Sequence, residues 1–340
     1  MTNMNEKIEN PLGTEPVGKL LRKFAVPSII SMLVMSLYNI VDQIFIGQCV
    51  GELGNAATNV AFPFTTLCIA TALAFGIGGA SGFNLNLGAG EKEKAPYFIG
   101  VSASMMFIIG VVLSVVGLTA LKPLLLFFGS TDTVLPYAME YTKYLALGFP
   151  FAIISSGGSH LVRADGSPKF SMACNLVGAI VNVILDYLFV MVFNWKMAGA
   201  AIATVIGQIL ASIMVIWYLS HFKTIKLHGK HFVPQLKIVG RTVHLGMAQC
   251  LNQLAIMFVQ VVMNKSLTYY GALSPYGADI PLACTGIVMK VNQVYFSICI
   301  GVAQGIQPIA SFNRGAGKND RVKKTYKLAV SCNTIISTIA

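Results

Sequence analysis

Nine predominantly apolar stretches, each long enough to cross about 30 Å of hydrocarbon as a helix, restrict what this chain can fold into. They cover approximately 24–47, 56–87, 97–121, 134–155, 170–193, 198–219, 239–269, 283–312 and 324–340. Backbone polar groups in lipid have to be paired within the segment, so the series reads as an all-α polytopic membrane protein with about nine transmembrane helices. Composition agrees: mean hydropathy is +0.69 and 11% of residues are charged, against about a quarter in a soluble domain. Pro27, Pro63, Pro150, Gly76, Gly78 and Gly79 fall inside the runs, where bilayer helices tolerate them and small residues allow close packing.

The net charge of +11 is distributed by side. Counted at alternate ends of the runs, 19 of the 24 Lys and Arg fall on one side: the tail before residue 24, Lys92 and Lys94, Arg163 and Lys169, Lys223 to Arg241, and Arg314 to Lys327. Lys122, Lys143, Lys196 and Lys265 fall on the other side, and Lys290 lies within the eighth run. This imbalance predicts a cytoplasmic N-terminus in the cell inner (plasma) membrane. The basic residues form no aromatic-interleaved module, so nucleic acid is not an expected partner. Residues 1–23 mix Glu6, Glu9 and Glu15 with Lys7, Lys19, Arg22 and Lys23, have no short apolar core with a cleavage site, and read as a retained cytoplasmic tail. The seven cysteines lack a CxxC pair and read as small buried hydrophobes. The last run has no closing loop or interfacial anchor before Ala340, so the chain is expected to stop within a helix.

An internal repeat organises the runs. Asn86-Leu-Gly-Ala-Gly90 and Asn313-Arg-Gly-Ala-Gly317 recur at an offset of 227, each closing an even-numbered run on the basic side, where a helix C-terminus with a left-handed glycine is expected. The repeat divides the chain into a first unit of six spans over 24–220, a cytoplasmic linker over 221–238 and a partial second unit of three spans over 239–340. Units of equal polarity are parallel repeats, with an axis along the membrane normal and a site between them. The linker histidines have no metal-ligand spacing, and no metal site is expected there.

Asp42 and Asp186 are singled out among the 13 acids as carboxylates within apolar runs, at similar depth in runs one and five. A carboxylate at such depth is costly and is expected to face a protein interior or watery cavity. Asn39 stands three residues before Asp42, and Asn182 and Asn175 stand four and eleven before Asp186, so each acid shares a helix face with amides. Such a pair can hold a proton, or ligate Na+ with amide oxygens when ionised. In the second unit Asn252, Gln253, Gln260, Asn292, Gln293, Gln304 and Gln307 could line a cavity or bond between helices, and Lys290 could pair with a carboxylate or gate a cavity.

Three segments carry a family resemblance: PVGKLLRKFAVPSIISMLVMSLYNIVDQIFIG at 16–47, LVRADGSPKFSMACNLVGAIVNVILDYLFV at 161–190 with GAAIAT at 199–204, and GVAQGIQPIASFNRGAG at 301–317. With RxDGxPK, NxxxD and QGxQP in this order, the chain resembles the multidrug and toxic compound extrusion (MATE) transporters, in their DinF-like branch. The resemblance implies a MATE-type fold of two six-helix lobes around a central cavity, of which helices ten to twelve are missing here. It also implies a cation-responsive pocket in the first lobe, to which Asp42, Asp186, Asn182, Thr204 and Tyr141 correspond, and no cofactor beyond a coupling H+ or Na+.

The expected function is cation-coupled antiport of amphiphilic or cationic organic compounds by a monomer in the bilayer. One alternative is a lipid-linked oligosaccharide flippase, which needs cavity-facing Arg or Lys for phosphates, and the apolar runs of the first unit offer none. A fragment without activity is another. An intramembrane enzyme is not expected, because His160, His221, His228, His231 and His244 are placed in or beside loops, away from any nucleophile or metal triad within the runs.

Overall fold

The structure, a computed structural model, describes residues 10–275 and 279–339, apart from the side chains at 264, 268, 279–284, 286, 287, 290 and 339. Most of the apolar runs form helices that extend past the run boundaries. A short α1 (Pro11–Thr14) precedes α2 (Val17–Cys49), α3 (Glu52–Gly88) and α4 (Ala95–Thr119). Then come α5 (Leu121–Phe127), α6 (Leu135–Leu147), α7 (Phe149–Ala164), α8 (Pro168–Asp186) and a π-helical segment Tyr187–Val192. The chain continues through α9 (Lys196–Ser220), a 3-10 turn Gly229–Phe232, α10 (Leu236–Ala272), α11 (Asp279–Gly315) and α12 (Asn319–Ile339). Among the described residues seven helices are long and apolar enough to cross a bilayer, and α6 with α7 makes an eighth as one span bent by 58°. The bend falls at Gly148, because Pro150 in the first turn of α7 cannot continue the helix before it. The ninth run lies in α12, but Asp320, Arg321, Lys323, Lys324 and Lys327 occupy the first half of that helix and leave too short an apolar stretch to cross a bilayer.

The repeated motif builds the same cap twice. Gly90 and Gly317 take φ of 83° and 71°, and the Glu91 and Lys318 amides reach back to Asn86 O and Asn313 O, each at 2.9 Å. This is the Schellman closure, in which a glycine in the left-handed region lets two amides satisfy the last carbonyls of the helix. Both asparagines donate to the carbonyl four residues earlier, Asn86 to Gly82 at 2.7 Å and Asn313 to Ile309 at 2.8 Å.

These caps meet. A Cβ on Gly88 would lie 2.1 Å from Phe312 O and one on Gly315 would lie 1.9 Å from Leu85 O. The offset of 227 carries Leu85 to Phe312 and Gly88 to Gly315, so this contact between α3 and α11 is its own symmetry mate. The flanking pairs repeat the idea: α10 packs on α3 through Gly78 against Thr242 and Gly246 against Ala74, and α11 packs on α2 through Gly305 against Ala25 and Gly301 against Ile29. All these close approaches lie near the end that carries the basic loops. Toward the other end Leu251, Phe258, Val291, Phe296 and Ile300 of α10 and α11 are exposed, and among the described residues Ser36 and Ser297 carry the α2–α11 contact farther from the basic end.

The segment between α9 and α10 is pinned to the first unit. Buried Asp165 accepts from the Lys223 and Thr224 amides at 2.7 and 2.9 Å and from Tyr218 OH at 2.8 Å. Farther on, Ser104 Oγ donates to Phe232 O at 2.7 Å, and Tyr97 meets the His231 ring edge-on at 4.8 Å. His231 Nδ1 accepts from the His228 amide at 3.0 Å, which requires that nitrogen to be unprotonated. Burial, with the charges of Lys230 and His228, holds the His231 pKa below its usual 6.5. A folded-state pKa below the unfolded one favours the neutral ring, so this contribution is complete above pH 6.5 and is lost as pH falls below it. Acidifying from about pH 7 to about pH 5 is therefore expected to lower the amide protection factors across the turn Gly229–Phe232, each exchange rate being taken relative to the free peptide at the same pH, and His231→Gln to remove that acid-side loss. Protection factors that do not change with pH in the parent protein would show that the His231 bond does not hold the turn.

Candidate functional site

Where α2 crosses α8, Asp42 and Asp186 face each other. Asp186 is fully buried, and Asp42 is 7% exposed. Asp186 is the last residue of α8 before the π-helical turn, a wide-turn irregularity often found at functional positions. The side chain of Asn182, one helical turn earlier, also faces Asp186 and donates to Thr204 Oγ1 of α9 at 3.2 Å. Tyr141 of α6 is buried beside both acids.

The bonding in this group is one-sided. Asp42 Oδ1, Asp186 Oδ1 and Oδ2, and Asn182 Oδ1 are all buried, and among the described residues none of them accepts a hydrogen bond. Four acceptor oxygens thus converge without a donor, where most buried polar atoms are satisfied. Next to them a cavity of about 60 Å³ opens between α2, α7, α8 and α9, lined in part by Tyr38, Asn175, Asn182, Thr204 and Gln208. The carboxyls themselves lie outside its lining; Tyr38 and Asn182 stand between them and the open space. Among the described residues no group of three or more His, Cys, Asp or Glu could hold a metal ion.

Five of the residues expected in the pocket come together: Asp42, Asp186, Asn182, Thr204 and Tyr141. Asn175 lines the cavity farther along α8 and accepts from Ser159 at 3.1 Å. Asn39 does not belong to the group. It is exposed and donates to Met35 O at 2.8 Å. Tyr38 takes that place, facing both acids. At about 100° per residue a position four before Asp42 lies roughly 40° away around the helix and one three before lies roughly 60° away on the opposite flank, so the pattern of spacing admitted both and the neighbour α8 selected Tyr38.

Two of the second-unit residues make bridges. Gln304 accepts from Arg163 Nη1 at 2.9 Å and Gln307 donates to Ser81 at 2.9 Å, both across the junction of the units. Gln253 and Gln260 are half-buried on α10, while Asn252, Asn292 and Gln293 are exposed. Lys290 lies on α11 with its side chain outside the described residues. Arg163, read from the sequence as a loop charge, is 2% exposed in the last turn of α7, and His160, placed in or beside a loop, is buried in the same helix. Their signal was the spacing of three that puts Gly157, His160 and Arg163 on one packed face of α7. Of the cysteines Cys68 and Cys174 are buried and Cys49, Cys250, Cys299 and Cys332 partly so; all six are free, and the side chain of Cys284 is not described.

A family model described as MatE matches residues 27–188 and 248–340 of the chain that builds this site. The Multidrug export protein MepA of Staphylococcus aureus (strain N315) is 24% identical over 316 residues, spanning 93% of this chain and 68% of its own length. That of Staphylococcus haemolyticus (strain JCSC1435) is 25% identical over 321 residues, with 94% and 69% covered. A solved structure of the MATE multidrug transporter DinF-BH, determined as a complex, is similar at 30% identity and TM-score 0.87, covering 96% of this chain and 72% of that one. An outward-facing conformation of a multidrug resistance MATE family transporter shares the fold at 22% identity and TM-score 0.88, covering 97% of this chain and 72% of its own.

Proposed function

The chain belongs to the MatE family of multidrug and toxic compound extrusion transporters, and from that premise we propose that it exports amphiphilic or cationic organic compounds in exchange for H+ or Na+. The observation that carries the coupling is the acceptor cluster at Asp42, Asp186 and Asn182. Two carboxylates and an amide oxygen without donors, buried at membrane depth, are stable with a proton shared between the acids or with a cation among the oxygens. A neighbouring cavity of about 60 Å³ suits this role. It holds only a few waters, at about 10–15 Å³ of such space each, whereas drug-sized ligands fill about 300–1,000 Å³. The cation therefore binds inside the first unit, and the organic substrate needs a larger space than this cavity offers.

Taking the basic end as cytoplasmic, the glycine contacts and the bonds Arg163–Gln304 and Ser81–Gln307 close the inner face. Alternating access then requires those contacts to part while the acid pair changes its proton or ion occupancy. The names of the relatives, multidrug export proteins and a multidrug transporter, support an organic substrate of that kind. Reconstituted protein should drive a cationic dye across vesicle membranes when an H+ or a Na+ gradient is imposed, and lose that movement when the gradient is collapsed. If neither gradient moves dye beyond the level of protein-free vesicles, the antiport reading fails.

A further inference from the structure

The two tryptophans of the chain bracket one helix. Trp195 immediately precedes α9 and Trp217 lies in its last turn. They are 22 residues apart, about 33 Å at the helical rise, which matches the roughly 30 Å depth of hydrocarbon. Both rings are about half exposed, at 47% and 55%. Tryptophan concentrates at the two membrane–water boundaries, so Trp195 marks head-group level at the end opposite the basic one.

At that level a cleft of about 500 Å³ opens between α6 and the start of α9, lined by Glu140, Tyr144, Asn194, Trp195, Lys196 and Ile202 among others. Glu140, which the sequence reading passed over although it falls within the fourth run, stands exposed on the rim one helical turn before Tyr144. Glu140 and Lys196 share the cleft without closing on each other, since the ion pairs among the described residues are Lys19–Glu15 and Lys94–Glu91. The turn that presents Lys196 is unusual. Asn194 and Lys196 take φ of 55° and 49°, an unfavourable conformation for residues with a Cβ, and such outliers gather at binding sites. The turn is fixed by the Trp195 amide donating to Phe189 O at 2.8 Å and by the Trp195 ring stacked on Phe189 at 4.8 Å. Beside it Val192 and Phe193 are more than half exposed, so the cleft opens along an apolar, membrane-facing surface.

We propose that this cleft binds a lipid with a zwitterionic amine–phosphate head group, its ammonium on Glu140, its phosphate on Lys196 and its upper chain against Trp195, Tyr144 and Ile202. One acid and one base held apart above an apolar floor match the charge order and the amphipathic shape of such a molecule. A purely anionic lipid would satisfy Lys196 and leave its negative charge facing Glu140.

Trp195 is itself the reporter. With Trp217→Phe as the only other change, emission of the full chain comes from Trp195, and bromine on the lipid chains quenches it on contact. In vesicles of mixed composition, brominated phosphatidylethanolamine should quench Trp195 with roughly fivefold higher relative affinity than brominated phosphatidylglycerol, about 1 kcal/mol of preference. Glu140→Gln and Lys196→Gln should each abolish the preference, and Lys196→Arg should retain it. Unfolding temperatures of the four proteins indicate that they remain folded. Equal quenching by both lipids, or a preference that survives both charge removals, would overturn the proposal. Relief of quenching by free phosphoethanolamine would assign the site to a soluble compound of the same chemistry and overturn its lipid half.

Discussion

Replacing Asp186 by Asn is expected to abolish gradient-driven efflux while leaving the protein folded in the membrane. Asn has the volume of Asp and adds a donor where Asp42 Oδ1, Asn182 Oδ1 and both Asp186 oxygens now stand without one. The substitution removes the charge that calls for a cation and satisfies part of the cluster from within. Folding therefore does not suffer, because a buried, unpaired carboxylate is costlier than an amide that is hydrogen-bonded. Coupling free energies between sites run to about 3 kcal/mol, or about 150-fold, so driven transport should fall to that depth, close to passive leak. Asp42→Asn should produce a similar loss, and the double variant little more than either single one, since both acids hold the same cation. The measurement is dye movement in reconstituted vesicles under an imposed gradient, with the unfolding temperature recorded on the same samples. Driven transport at the parent rate in Asp186→Asn, in a protein that melts no lower, would remove the acid pair from the mechanism.

Gly315→Val is expected to force the closed end apart. A Cβ there would lie 1.9 Å from Leu85 O, a backbone atom with no rotamer to escape through. Restoring ordinary contact at 3.4 Å requires the helices to separate by about 1.5 Å. Overpacking in a close-packed interface costs about 1–3 kcal/mol and more where backbone is the obstacle, enough to move a population between two states of similar energy by one to two orders of magnitude. Cysteines placed at Ser81 and Gln307, whose side chains are hydrogen-bonded at 2.9 Å, should cross-link readily in a protein otherwise free of cysteine. Adding Gly315→Val should reduce the yield about tenfold, and Gly88→Val, the symmetry-related change, should do the same. Unchanged cross-linking in both would mean that these glycines do not set the closed state.

Much of this molecule was legible in its residues because membrane helices obey a local rule. Each must satisfy its own backbone and present apolar side chains to lipid over a known thickness, so the runs could be counted, and the expected fold agrees with the structures it resembles. The Asn-x-Gly-Ala-Gly caps were readable for a similar reason, since a left-handed glycine at a helix end is a local conformational demand. Asp42 and Asp186 stood out because a carboxylate at depth is rare and expensive.

The other assignments depended on which faces meet. Asn39 and Tyr38 are equally plausible neighbours of Asp42 until α8 is placed beside α2, and then only Tyr38 turns inward. Gln304 and Gln307 could line a cavity until Arg163 and Ser81 arrive from the other unit to bond them. The π-helical turn after Asp186 and the left-handed pair around Trp195 leave no trace in composition. The chain alone thus determined that its apolar runs are helices and where the glycine caps fall, because these follow from the energetics of a single segment in lipid. It did not determine the span count, since α6 and α7 break one run and the charged start of α12 leaves the ninth short. Only the tertiary structure decided which polar groups would be satisfied, and it left four acceptor oxygens unpaired at the acid pair, because hydrogen bonds and desolvation depend on atoms far apart in sequence and close in space.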